Sequence, residues 1–186
     1  MCRPVVKFQA KQFNLKIVLQ RLTLAQKYGM PTFSCLHFDE LSTRQLYEIL
    51  ALRQEVFAVE QNCPYQDCDN RDLDAWHLMG RDETNRLICY TRLLPEGVSY
   101  EGYTSIGRVV SSPSVRGTGA GKQLMEESIK KCVELFGNQP IKIGAQTYLL
   151  KFYGSFGFRS TGEEYLEDGI PHTKMILEDP GTRTQD

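Results

Sequence analysis

No apolar run in this chain approaches the roughly 18 residues that a membrane-spanning helix needs, so no membrane role is expected. Neither sign of charge is in surplus: 22 Lys and Arg stand against 23 Asp and Glu, a formal net charge of −1. That balance argues against a dedicated nucleic-acid binder or a protein of membrane surfaces, both of which need a basic excess. The six cysteines (Cys2, Cys35, Cys63, Cys68, Cys89 and Cys132) contain no CxxC pair. The expectation is reduced thiols in a cytoplasmic protein, several of them core filler. Cys63 and Cys68 stand beside aspartates, but no second ligand pair has zinc spacing, so no metal is expected. Repeats and low-complexity stretches are also missing. What remains is 186 residues, 41 % hydrophobic and 24 % charged, long enough to bury a core without disulfides or metals.

One more absence sets the start of the chain apart. No acidic residue precedes Asp39, while Arg3, Lys7, Lys11, Lys16, Arg21 and Lys27 do. A basic, acid-free start is like an organellar transit peptide, but its single serine (Ser34) and two arginines are too few for one. It lacks the apolar core and small-residue cleavage site of a secretory signal. Translation starting at Met30 and a disordered or helical extension are the other readings. The expected organisation is therefore a basic extension over 1–31, one folded domain over 32–178 and a tail over 179–186.

Within the domain, Ser42 and Gln45 form a capping box that opens a helix carrying Leu46, Ile49, Leu50, Val56 and Phe57 at helical spacing. Arg53 and Glu60 fall on the same apolar stripe and need partners, either each other or a ligand. Residues 62–74 read as a loop. Strands are expected over 76–79 and 87–94, joined by a turn at 82–85, and over 104–110. A glycine-rich loop then leads into a helix with Leu124, Met125, Ile129, Cys132, Val133 and Phe136 on one side. Its other side carries Glu126–Lys130 and Glu127–Lys131 pairs in the favourable i,i+4 order. Gly137, Asn138 and Pro140 stop it. A strand over 141–145, a short helix over 147–153 and strands over 158–165 and 172–177 complete a mixed α/β order.

The glycine loop runs Arg116-Gly117-Thr118-Gly119-Ala120-Gly121-Lys122. A P-loop would need glycine in place of Arg116 and Ser or Thr in place of Gln123. A dinucleotide loop would need GxGxxG and an acid about 20 residues on. Both fail. The pattern R/Q-x-x-G-x-G/A fits, through Arg116, Gly119 and Gly121. Positions without side chains let backbone N–H groups converge on an anion at a helix N-terminus. Residues 102–125 and 135–162 contain no acid but do contain Arg108, Arg116, Lys122, Lys142, Lys151 and Arg159. Lys122, a cation in the first helical turn, is disfavoured there unless an anion binds. Tight helix–strand packing is the other use of such a loop.

These residues resemble the GNAT superfamily of acetyl-CoA-dependent N-acetyltransferases. The carriers are the Arg116–Gly121 loop after the strand at 106–110, and Phe152-Tyr153-Gly-Ser-Phe-Gly157-Phe158 near the C-terminus. More narrowly, the ElaA-like group is matched by Leu52-Arg53, Val56-Phe57, the run from Val59 to Tyr65, Asp67, Asp69, Asp72-Leu73-Asp74 and Asp168-Gly-Ile-Pro-His172. The resemblance spans about 32–177. It implies an α/β (mixed α+β) fold, a twisted mixed sheet whose central parallel strands splay apart between flanking helices. It implies acetyl-CoA as co-substrate, its pantetheine along Ile106, Gly107, Arg108, Val109 and Val110 and its pyrophosphate on the N–H groups of residues 116–122. A backbone N–H near Val109 would stabilise the oxyanion. Tyr153 would protonate the departing thiolate, a phenol near pKa 10 being a reasonable acid for that task; packing beside Leu149 is its other reading. Glu60 and His172 are the candidates for general base, with His77 a weaker one.

On the acceptor side the resemblance points to Arg53, Gln61, Asn62, Tyr65, Asp69 and His77, with His77 also open to a structural role. Five acids against one base, Arg71, between Glu60 and Asp74 would favour a cationic amine if that loop lines the acceptor mouth. A solvated acidic loop is the alternative. The expected activity is acetyl transfer to a small-molecule or peptide primary amine. Transfer of a longer acyl group and a non-catalytic acyl-CoA-binding module are the competing functions, and a homodimer is left open.

Overall fold

The computed structural model describes residues 30–183. The readings of residues 1–29 and of the last three residues of the tail lie outside the described residues. The order is β1 (Thr32–His37), α1 (Thr43–Arg53), β2 (Trp76–Arg81), β3 (Leu87–Leu94), β4 (Ser105–Ser111), α2 (Ala120–Phe136), β5 (Ile141–Gln146), α3 (Leu150–Gly154), β6 (Arg159–Glu167) and β7 (Ile170–Leu177). One half-sheet runs β1-β2-β3-β4 and the other β5-β7-β6, antiparallel throughout. They join at a parallel bridge between Thr104 and Ile141. There Thr104 N donates to Pro140 O at 3.1 Å and Lys142 N to Thr104 O at 2.9 Å. Beyond that bridge β4 and β5 part, which is the mixed sheet with splayed central strands.

β3 is buried along its whole length because helices cover both of its faces. On one face α2 packs Leu124, Met125 and Ile129 against Leu78, Leu93, Ile106 and Ile141. On the other, Ile49, Leu52 and Val56 meet Met79, Tyr90 and Val110. The capping box at Ser42 forms, with Gln45 N donating to Ser42 Oγ at 3.2 Å and Ser42 N to Gln45 Oε1 at 2.8 Å. Gly137, at φ +79°, ends α2 in a conformation glycine adopts without strain.

Three features depart from expectation. β1 was not anticipated; it pairs with β2 at the sheet edge. The helix begun at Thr43 does not continue as an α-helix: Gln54–Glu60 forms π-type turns, with Gln61 N donating to Val56 O at 3.2 Å and Cys63 N to Ala58 O at 3.2 Å. Each wider turn takes more residues, so Glu60 rotates off the buried stripe and is exposed. On α2, the anticipated Glu126–Lys130 and Glu127–Lys131 pairs give way to Lys122–Glu126, Lys130–Glu127, Lys130–Glu134 and Lys131–Glu134.

Candidate active site

The opening between β4 and β5 is a cleft of about 530 Å³, within the range that holds small molecules. A bulge shapes its β4 wall. Tyr90 pairs with Val110 and Arg92 with Gly107, so Arg108 and Val109 together oppose Thr91. Arg108 sits at φ +52°, and such a bulge bends the strand that carries it. Ile106, Gly107, Arg108, Val109 and Val110 all line the cleft.

Of the glycine loop, Arg116 and Gly121 border the cleft; Gly117, Thr118, Gly119, Ala120 and Lys122 lie outside its lining. Gly117 (φ +77°) and Gly119 (φ +99°) carry the chain through left-handed conformations into α2. The N–H groups of Gly117, Gly119 and Gly121 take no partner among the described residues, while those of Lys122 and Gln123 donate to Gly119 O. Unpaired N–H groups at the start of a 17-residue helix suit an anion, so this chain fits a pyrophosphate there. Lys122 instead lies 3.4 Å from Glu126, which relieves its position in the first turn.

The three proposed catalytic side chains all line the cleft. Tyr153, on α3, is 7 % exposed and packed edge-on against Phe152 and Phe158. Burial pushes its phenol well above the usual range, so it stays protonated at neutral pH. His172, on β7, lies with Nδ1 2.8 Å from Ile170 O. A carbonyl only accepts, so Nδ1 carries the proton and the neutral ring keeps its lone pair on Nε2, the form a base needs. Glu60 is committed elsewhere. Arg116 Nη1 donates to its Oε1 at 2.5 Å and Nη2 to its Oε2 at 2.8 Å. That hydrogen-bonded guanidinium holds the Glu60 carboxyl below its ordinary range.

On the acceptor side, Gln61 and Tyr65 line the cleft, whereas Asn62 (φ +49°, exposed) and Asp69 do not. Arg53 and His77 need correction, since both are 0 % exposed and held from within. Arg53 Nε donates to Asp67 Oδ2 at 2.7 Å and Nη1 to Asp72 Oδ1 at 2.8 Å. Glu60 is thus not its partner. His77 Nε2 donates to Asp72 O at 3.0 Å and Nδ1 accepts from Tyr90 Oη at 2.9 Å, leaving neither nitrogen for a substrate. Burial depresses its pKa, which suits a neutral ring.

Nor is the 62–74 loop a solvated acidic surface. Asp69 chelates Arg92 (Nη1 to Oδ1 2.6 Å, Nη2 to Oδ2 2.9 Å), Asp72 also takes Arg92 Nη1 at 3.1 Å, and Asp67 Oδ1 lies 2.7 Å from Arg108 Nε. Tyr65 Oη donates to the same Asp67 oxygen at 2.9 Å. Burial alone would raise the Asp69 pKa, but hydrogen bonding and charge from Arg92, with Arg108 behind, pull it down to about 2. These aspartates lock the loop to the sheet. Apart from Arg71, 3.7 Å from Asp69, their arginine partners lie 14 to 41 residues away in sequence, so only the bare excess of acids in one loop hinted at them.

Residues 50–179 match the family model described as an acetyltransferase (GNAT) domain. ElaA of Escherichia coli is 46 % identical over 145 residues, 77 % of this chain and 94 % of ElaA. A UPF0039 protein of Synechocystis is 41 % identical over 143 residues, 77 % of this chain and 92 % of that protein. The ElaA crystal structure superposes with a TM-score of 0.74 at 43 % identity, covering 80 % of this chain and all of that one. An acyl-CoA N-acyltransferase from Pseudomonas aeruginosa gives a TM-score of 0.72 at 44 % identity, over 78 % of this chain and 98 % of that structure. Among the described residues no helix is long and apolar enough to cross a membrane. With the splayed sheet, the glycine loop and these relatives agreeing, this chain belongs to the GNAT acetyltransferase family, in the group that contains ElaA.

Proposed function

We propose that the chain is an acetyl-CoA-dependent N-acetyltransferase that moves the acetyl group to a primary amine by direct attack on the thioester. The observation that carries this reading is the parting of β4 and β5 beyond Thr104 and Ile141, with Tyr153 inside the opening. Acetyl-CoA would supply the activated acyl group. Its pantetheine would run along residues 106–110 of β4, and its pyrophosphate would meet the N–H groups of Gly117, Gly119 and Gly121, with Arg116 beside them. The Val109 N–H, displaced by the bulge, would face the negative charge that develops on the thioester oxygen. Tyr153 would deliver its proton to the departing sulfur. His172 is better placed than Glu60 to take the amine proton, directly or through a water, because the Glu60 oxygens are already bonded to Arg116. Gln61 and Tyr65 line the wall where the acceptor would enter.

The test is a thermal-unfolding shift with acetyl-CoA, CoA and ATP, followed by thiol release with a panel of amines. Ligand at about 100 times its Kd adds roughly 2.7 kcal/mol. Acetyl-CoA and CoA are expected to stabilise the protein and ATP is not; no shift with either CoA species would end this reading. Tyr153→Phe is expected to lower turnover at least tenfold, on the order of 1.4 kcal/mol in the barrier, with acetyl-CoA affinity nearly unchanged. Longer acyl-CoA donors in the same assay separate an acetyl from a longer acyl specificity. Binding without thiol release from any amine would favour a non-catalytic module.

A further inference from the structure

Arg116 is expected to meet the cofactor's pyrophosphate, yet its guanidinium already holds a side chain. Nη1 and Nη2 clasp the two Glu60 oxygens, and Nη2 also donates to Ser111 O at 3.3 Å. A guanidinium offers a phosphate two paired faces: Nη1 with Nη2, or Nε with Nη2. Glu60 takes the first. The second is closed as well, because both hydrogens of Nη2 are engaged by Glu60 and Ser111. A phosphate that pairs with Nη1 and Nη2 must therefore displace Glu60, one that pairs with Nε and Nη2 must displace only the longer bond to Ser111 O, and a carboxylate left in place would repel either.

We propose that Glu60 is a displaceable internal counter-ion, competing with the pyrophosphate of CoA for Arg116. This rests on the acetyl-CoA reading given above. Glu60 stands at the end of the π-type turns and Arg116 at the mouth of the glycine loop, and both line the same cleft. The pair is half exposed, 44 % and 40 % for the two side chains, so it is weak enough to open. The consequence is kinetic. As CoA leaves, Glu60 retakes the guanidinium, so product release is assisted at the cost of cofactor affinity.

The test measures CoA binding to the full chain by calorimetry and its dissociation rate by stopped flow. Replacing the competitor, Glu60→Gln or Glu60→Ala, is expected to tighten CoA binding about fivefold, close to 1 kcal/mol, with the change in the dissociation rate. Arg116→Met is expected to weaken CoA, and in that background Glu60→Gln is expected to have no effect. A merely structural ion pair would lower the unfolding temperature without tightening CoA. Unchanged or weaker CoA binding by both Glu60 variants overturns the exchange but leaves the acetyl-CoA reading standing. Equal tightening in the Arg116→Met background overturns it too, since the effect would then be bulk charge. A wild-type protein that does not bind CoA overturns both.

Discussion

Arg53 has no exposed surface, and a buried guanidinium persists only where its charge and its donors are met. Asp67 and Asp72 meet them, and their own second bonds to Arg108 and Arg92 extend the arrangement across three elements. Removing the cation would take a close donor from both carboxylates. Arg53→Met is expected to cost about 3–5 kcal/mol, roughly 6–20 °C in unfolding temperature for a domain of this size. A loss below about 1 kcal/mol in a denaturant titration would show that the network is not what holds the loop. The amino-acid types were visible here but their partners were not. Arg53 and Glu60 look paired on a helical projection, and only the π-type turns send one inward and the other out.

At the scale of elements, a β6 side chain reaches across β7 to β5 at one glycine. A Cβ on Gly144 would collide with Tyr165 Oη and come within 3.6 Å of Tyr100 Oη. Tyr165 lines the cleft, and its ring lies 4.1 Å from Lys174 Nζ, which in turn donates to Tyr100 Oη at 3.0 Å. Gly144→Ala must therefore swing the Tyr165 ring away from β5. The expected outcome is a stability loss of about 1 kcal/mol and a several-fold rise in acceptor KM, with CoA affinity unchanged. Steady-state kinetics beside CoA titration check it; unchanged KM would mean that the Tyr165 ring takes no part in holding the acceptor. Elements whose signals are local were legible: the Ser42 box, the start of α2 after two left-handed glycines and its stop at Gly137, and β3 residue for residue. β1 was not, because its alternation covers only Thr32 to Cys35 and it stands next to a basic segment.

For the whole molecule, stability against acid follows from the aspartates that tie the loop to the sheet. Asp69 titrates near pH 2 in the folded chain and near about 3.9 unfolded, so the unfolded state binds protons first. Its stabilisation is complete above about pH 4 and fades as pH falls towards 2. Thermal melts should therefore drop steeply across that window, and Asp69→Asn should start lower and drop less; equal slopes would count against the assignment. The same network fixes the loop beside the bulged part of β4 through Arg108. The sequence by itself determined most of the helix and strand segments and which motifs stand in which order, because those depend on neighbours within a few positions. The tertiary structure alone decided that β4 and β5 part beyond Thr104, that Asp67, Asp69 and Asp72 face arginines, and that Glu60 clasps Arg116, because a charge finds a partner 14 to 56 residues away only once the chain's path has brought the two together.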